Sequence, residues 1–155
     1  MSELLEITVD KFKLRVAADR LYTRDGLWVL GLAAAEGARV PRVRVGVSDY
    51  LQRHNGDLAF ASVKRVGTRL AAGEELAEVE TVKVNLSLLA PVSGTVVEVN
   101  PVLELTPEIV NRDPYGEGWL AVIEAAELEA EEAALLDGAA YFDFMRGLVE
   151  QELAS

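Results

Sequence analysis

The chain offers few side chains able to do covalent chemistry. None of its 155 residues is a cysteine, which removes disulfides, thiolate metal sites and thiol nucleophiles together. Its single histidine, His54, sits in the polar stretch Gln52-Arg53-His54-Asn55-Gly56. That stretch has the composition of a helix end, so a surface or capping role suits His54 better than a catalytic one. There is no Gly-x-Ser-x-Gly elbow for a serine nucleophile. Lys83 lies in Glu80-Thr81-Val82-Lys83-Val84. A lysine can be a solvated charge, a salt-bridge partner or a nucleophile. Strand alternation puts Thr81 and Lys83 on one face and the two valines on the other. That pattern alone describes an ordinary solvated charge. Any redox or group-transfer role would need reactive atoms attached to the chain from outside.

The elements that would position such a residue are mostly strands. Residues 6 to 16 alternate, with a slip at Asp10-Lys11 that marks either a bulge or a turn. Lys11, Lys13 and Arg15 make this the most basic part of the chain, either a docking edge or a solvated strand face. Asp25-Gly26 turns the chain into Leu27-Trp28-Val29-Leu30, and residues 32 to 38 read as a loop. Val43, Val45 and Val47 alternate with Arg42 and Arg44, behind a proline placed where a strand start tolerates it. Ser48 or Asp49 can cap a short helix closed by Asn55-Gly56. Residues 58 to 66 return to strand. From Gly67 onward, glycines and Pro91 punctuate short apolar runs. Periodicity draws residues 76 to 84 as one long strand, because no Asn-Gly or Asp-Gly marks a turn near Lys83. Residues 94 to 99 and 119 to 123 are further strands, with a short helix started by Thr106-Pro107 between them. Residues 127 to 136 are rich in Ala, Glu and Leu, read as a solvated helix. After Asp137-Gly138, residues Tyr141, Phe144, Met145, Leu148 and Val149 recur at helical spacing, as a packing face.

Composition narrows the class. The length fits one domain, and a chain of this size buries about 70% of its unfolded surface without needing a disulfide or metal. The formal net charge is -11, which disfavours nucleic acid and anionic membranes as partners. The charge suits transient docking on basic surfaces, or serves only to keep the chain in solution. No apolar run approaches the roughly 18 residues of a membrane span. The first six residues lack the features of a signal peptide, which implies a cytoplasmic protein.

Residues 67 to 99, with Glu80-Thr81-Val82-Lys83-Val84 central and Ala90-Pro91-Val92-Ser93-Gly94 following, resemble the lipoyl-bearing region of glycine cleavage system H proteins. Asn111-Arg112-Asp113-Pro114-Tyr115-Gly116-Glu117-Gly118-Trp119, Leu135-Leu136-Asp137-Gly138-Ala139-Ala140-Tyr141, Gly46-Val47-Ser48-Asp49-Tyr50 and Gly56-Asp57 fit the same family. The resemblance runs from Leu21 to Phe144. It implies a mainly β, barrel-sandwich hybrid (hammerhead) fold with short helices and a C-terminal helical segment. It also implies a non-catalytic carrier, a single domain over 1–155. An N-terminal strand extension (1–20) and C-terminal helices (127–155) would flank the family core. Lys83 would lie at a hairpin tip and bear covalent lipoate, attached by a lipoate ligase or lipoyl-transfer enzymes with Glu80 aiding recognition. Lipoate supplies the two sulfurs the sequence lacks. Valine flanks favour it over biotin, whose carriers usually flank the lysine with methionine. No metal site is implied.

Two departures from the family pattern bear on the arm's cavity, for which Asp25, Leu27 and Ser87 are the candidate residues. The family's His-Glu-Trp is replaced by Gly26-Leu27-Trp28, and a later acidic residue by Ser87. Both replacements remove negative charge where the family shelters a cationic cargo, though Asp25 could partly compensate. With the long N-terminal extension, they favour a specialised relative whose arm carries sulfur intermediates to a heterodisulfide-reductase-like complex. The alternative is a carrier of the aminomethyl group among the glycine cleavage enzymes. A biotinyl carrier and an unmodified interaction module are the remaining readings.

Overall fold

A computed structural model describes residues 4–9, 12–33, 37 and 40–154. Three sheets form. The N-terminal hairpin pairs β1 (Leu4–Val9) with β2 (Phe12–Ala17) in antiparallel register, Val9 opposite Phe12. The slip at Asp10-Lys11 and most of the 32 to 38 loop lie outside the described residues. Lys13 and Arg15 both pair with Glu6 across this hairpin, at 3.4 and 3.2 Å, as expected of a solvated strand face.

The largest sheet has six strands. They are β3 (Leu21–Tyr22), β4 (Leu27–Gly31), β5 (Arg42–Val47), β7 (Arg69–Leu70), β10 (Gly94–Val99) and β11 (Ala121–Ala125), in the spatial order β3-β4-β5-β11-β10-β7. The third sheet orders β6 (Leu58–Val63), β8 (Glu75–Thr81) and β9 (Asn85–Leu89) as β6-β8-β9. Residues 76 to 84 are thus not one strand. β8 ends at Thr81 and β9 begins at Asn85.

Val43, Val45 and Val47 of the six-stranded sheet and Leu76, Val79 and Leu88 of the three-stranded sheet share one apolar cluster with Leu27, Val96 and Ile123. Two sheets closing on a common core make the barrel-sandwich arrangement. Helices fill the ends: α1 (Asp49–Asn55), a 3₁₀ turn at Pro101–Glu104, α2 (Ile109–Arg112), α3 (Leu128–Glu132) and α4 (Gly138–Ala154). Ser48 is the N-cap of α1, its hydroxyl accepting from Leu51 N, and Gly56 closes the helix at φ +84°. The 127 to 136 helix is shorter than its composition suggests, only Leu128–Glu132.

A second cluster joins the two ends of the chain. Leu14 and Val16 of β2 pack with Tyr22, Trp28 and the Tyr141, Met145, Val149 stripe of α4. Tyr22 and Tyr141 stack with centroids 4.4 Å apart. The Trp28 indole donates to Val47 O and Pro114 O at 3.1 and 3.0 Å, so its polar edge is satisfied while the ring is wholly buried. Gly46 is required by this ring, since a Cβ there would stand 2.2 Å from Trp28 Cζ2.

Burial also tunes the phenols of this cluster. It drives the Tyr22 and Tyr115 hydroxyls well above the ordinary range and Tyr141 up to about 12. The folded chain therefore holds these protons more tightly than the unfolded chain, which releases them near the ordinary phenol value of 10.0. The stabilisation is complete below pH 10 and is lost as pH rises toward the folded values. Urea midpoints should be level from about pH 8 to 9.5 and fall clearly by about pH 11.5. A midpoint unchanged at the higher pH would refute this role for the buried tyrosines.

Candidate functional site

The site is the β8–β9 hairpin. Leu76, Ala77 and Val79 face the core while Glu78 and Glu80 face outward. Across the pair, Leu88 is buried and Asn85 and Ser87 are exposed. The inward residues anchor the hairpin, and the tip stays in solvent.

The turn needs no glycine because Thr81 builds it. Thr81 N donates to Val84 O at 2.8 Å. The Thr81 hydroxyl accepts from Lys83 N at 3.2 Å and Val84 N at 3.1 Å, and donates to Val84 O at 3.0 Å. This is a side-chain-organised turn. Val82 N donates to Asp57 O at 3.2 Å, stapling the tip to the loop after α1. Gly56 permits that approach, since a Cβ there would lie 3.1 Å from Val82 Cγ2.

Lys83 is exposed at this tip, between Val82 and Val84, both exposed too. Its Nζ donates to His54 O at 3.4 Å. A groove of about 230 Å³ opens beside it, walled by Leu14, Val149 and Leu153 and floored by Tyr50, Arg53, His54 and Glu152. His54 stacks on Tyr50 at 5.5 Å, and its Nδ1 is 3.2 Å from Glu152 Oε1. The Tyr50 hydroxyl donates to the same oxygen at 3.0 Å. Partial burial first, then Glu152, pushes the Tyr50 phenol up to about 12. His54 is therefore a surface residue tied to α4 through Glu152 and stacked on Tyr50.

The arm-cavity candidates do not gather in this groove. Leu27 is 1% exposed, inside the main core. A carboxylate at that position would be a charge in a closed apolar interior, which costs several kcal/mol. Ser87 lies on the outer face of β9, its hydroxyl donating to Glu75 Oε1 at 2.5 Å. That bond, with the Lys64 contact, holds the Glu75 carboxyl below its usual range. Asp25 is exposed in the turn before β4. Glu80 is exposed on β8, opposite Asn85 and Phe60. Of Lys83, Glu80, Asp25, Leu27 and Ser87, only Lys83 borders the groove. Sequence reasoning missed the groove because its walls come from β2, α1 and α4.

The boxes that resemble a known family are supports. Ser93 donates through N and Oγ to the Glu131 carboxylate at 2.7 and 2.6 Å, so the acidic segment is not merely solvated. Gly94 fits against Glu124 O, only 2.0 Å from where a Cβ would stand. Asn111 donates to Gln52 Oε1 and Gly56 O and accepts from Leu58 N. It thereby fixes the loop that carries Asp57, the tip's staple.

Fold and tip together have the form of a carrier domain, in which a hairpin holds one lysine out in solvent. The family model for glycine cleavage H-protein matches residues 22–147, and the chain belongs to that family. It is 40% identical over 142 residues to a probable glycine cleavage system H protein of Thermococcus kodakarensis, covering 92% of this chain and 99% of the relative. It is 51% identical over 102 residues to the glycine cleavage system H protein of Mycobacterium avium, covering 64% of this chain and 77% of the relative. The crystal structure of the H protein from Mycobacterium marinum superposes with a TM-score of 0.69 at 37% identity, covering 81% of this chain and 95% of the other. Such proteins are non-catalytic carrier subunits with lipoate attached to a lysine, and this chain is a lipoyl carrier of that kind. The archaeal match is too long to leave the whole N-terminal extension unmatched.

The tip geometry has a direct consequence. Thr81→Val keeps the branched shape and removes the hydroxyl that holds the Lys83 and Val84 amides. Global stability should fall by about 1 kcal/mol or less, while hydrogen exchange at those two amides rises about fivefold or more. Unchanged exchange at both would show that the hydroxyl does not hold the turn.

Proposed function

We propose that Lys83 is the lipoyl attachment site and that the arm it bears serves the glycine cleavage enzymes, carrying the aminomethyl group between them in the cytoplasm. The observation that carries this reading is the placement of Lys83 on a stapled, exposed hairpin tip in a chain of the H-protein family. The residues suit the group. The primary amine is exposed for acylation, and among the described residues it has no ion-pair partner. The groove beside it has leucine and valine walls matched to an aliphatic acyl chain. Bound lipoate supplies a pair of sulfurs that hold cargo covalently and cycle between dithiol and disulfide.

The protein's own part is mechanical and electrostatic. The Thr81 turn and the Val82–Asp57 staple fix the direction in which Lys83 leaves the surface. Acylation of Nζ removes its charge, which eases the arm's stay along an apolar groove. Tethering raises the arm's effective concentration at each docked partner. The net charge of -11 suits brief docking on basic partner surfaces.

The sulfur-oxidation reading rested on Leu27, Ser87 and the N-terminal extension. Leu27 is sealed in the core and Ser87 faces away with Glu75. The relatives above are glycine cleavage H proteins. These observations favour glycine cleavage.

Reconstitution tests the proposal. The lipoylated wild type should sustain glycine-dependent bicarbonate exchange with glycine decarboxylase. Lys83→Arg, which keeps the charge but cannot be acylated at this site, should fall to the rate without carrier. Exchange by the arginine variant at the wild-type rate would defeat the assignment.

A further inference from the structure

The outer face of the three-stranded sheet has a composition that the fold does not require. The register places Phe60, Glu80 and Asn85 in one row and Ser62, Glu78 and Ser87 in the next. All six are exposed. The inward row, Ala61, Val79 and Leu86, fills the core side. A bulge between Leu58 and Phe60 re-aims this part of β6, and Phe60 emerges 53% exposed on an edge strand. Proteins usually blunt such edges with charge, so a large aromatic there invites a reason. Glu78 and Glu80 stand next to it, and neither takes part in any ion pair among the described residues. The nearest pair on the face, Lys64 with Glu75 at 3.4 Å, is already complete.

We propose that this face, centred on Phe60 and flanked by Glu78 and Glu80, docks the enzyme that attaches lipoate, through a surface with an apolar depression rimmed by basic side chains. The proposal rests on Lys83 as the attachment site. Its argument is reach and charge. Five bonds separate Lys83 Cα from Nζ, roughly 6 Å in all, so an enzyme that encloses the bare amine must also cover the strands beneath the tip. Partners that meet the end of an acylated arm reach it from roughly twice as far, and need not touch this face. An exposed aromatic beside unpaired carboxylates is complementary to a basic, apolar-centred partner and repels an acidic one. Glu78 extends the recognition surface beyond the Glu80 that the family resemblance implies, and Phe60 supplies its anchor.

The test is the steady-state rate at which a lipoate-attaching enzyme, given lipoate and ATP, acylates the full chain, read by intact mass. Phe60→Ser and Glu78→Lys should each lower kcat/KM by about tenfold through KM, with circular dichroism unchanged. Glu98→Lys, the same charge change on the exposed part of β10, should stay within about twofold. Wild-type rates in the Phe60→Ser/Glu78→Lys double variant would overturn the proposal while leaving Lys83 as the attachment site. So would variants acylated normally but defective only in glycine-dependent exchange, or in self-association. Absence of acylation in the wild type would instead remove the reading of Lys83 on which the proposal depends.

Discussion

An exposed lysine can be held in place only by what lies beneath and beside it. Burial, the strongest ordering force in a protein of this size, is unavailable at a tip that stands in solvent. The chain resolves this with backbone closure. Thr81 ties the turn through its hydroxyl and amide, and Val82 N reaches Asp57 O. Each such bond contributes about 1 kcal/mol. They suffice because the strands below are anchored in the core by Leu76, Val79 and Leu88, which together contribute several times as much. Much of the remaining architecture supports that arrangement: Asn111 fixes the loop that offers Asp57 O, and Gly56 clears space for Val82.

The second cluster gives the chain's two ends a shared purpose. The N-terminal hairpin and α4 pack on Trp28 and Tyr22, and in doing so bring Leu14, Val149, Leu153 and Glu152 to the side of Lys83. The groove thus depends on segments more than 130 residues apart in sequence. Its single carboxylate belongs to Glu152, which accepts from Tyr50 and faces His54. The C-terminal helix thus brings a carboxylate to the groove beside Lys83, while Leu27 lies inside the main core.

Much of this was legible in the sequence, and the failures have identifiable causes. The Ser48 cap, the Gly56 closure, the valine alternation of β5 and the Tyr141-Met145-Val149 stripe follow from local rules, and the structure has them where those rules put them. The hairpin at Lys83 was hidden from periodicity because its turn is made by a threonine hydroxyl rather than by glycine, and only the surrounding family boxes signalled it. The placement of Leu27 and Ser87 was not legible because a residue's type does not say which way a strand faces. β4 turns Leu27 into the core, and β9 turns Ser87 out toward Glu75. Glu131 looked like one acid in a solvated run, since its partner, Ser93, lies 38 residues away.

The central claim is that Lys83 alone bears the arm. Peptide-level mass mapping of the protein, after incubation with a lipoate-attaching enzyme, tests it most directly. The peptide containing Lys83 should gain the mass of one lipoyl group while every other lysine peptide stays unmodified. A lipoyl group found on another lysine, or an unmodified Lys83 beside an H protein acylated in the same reaction, would contradict the account.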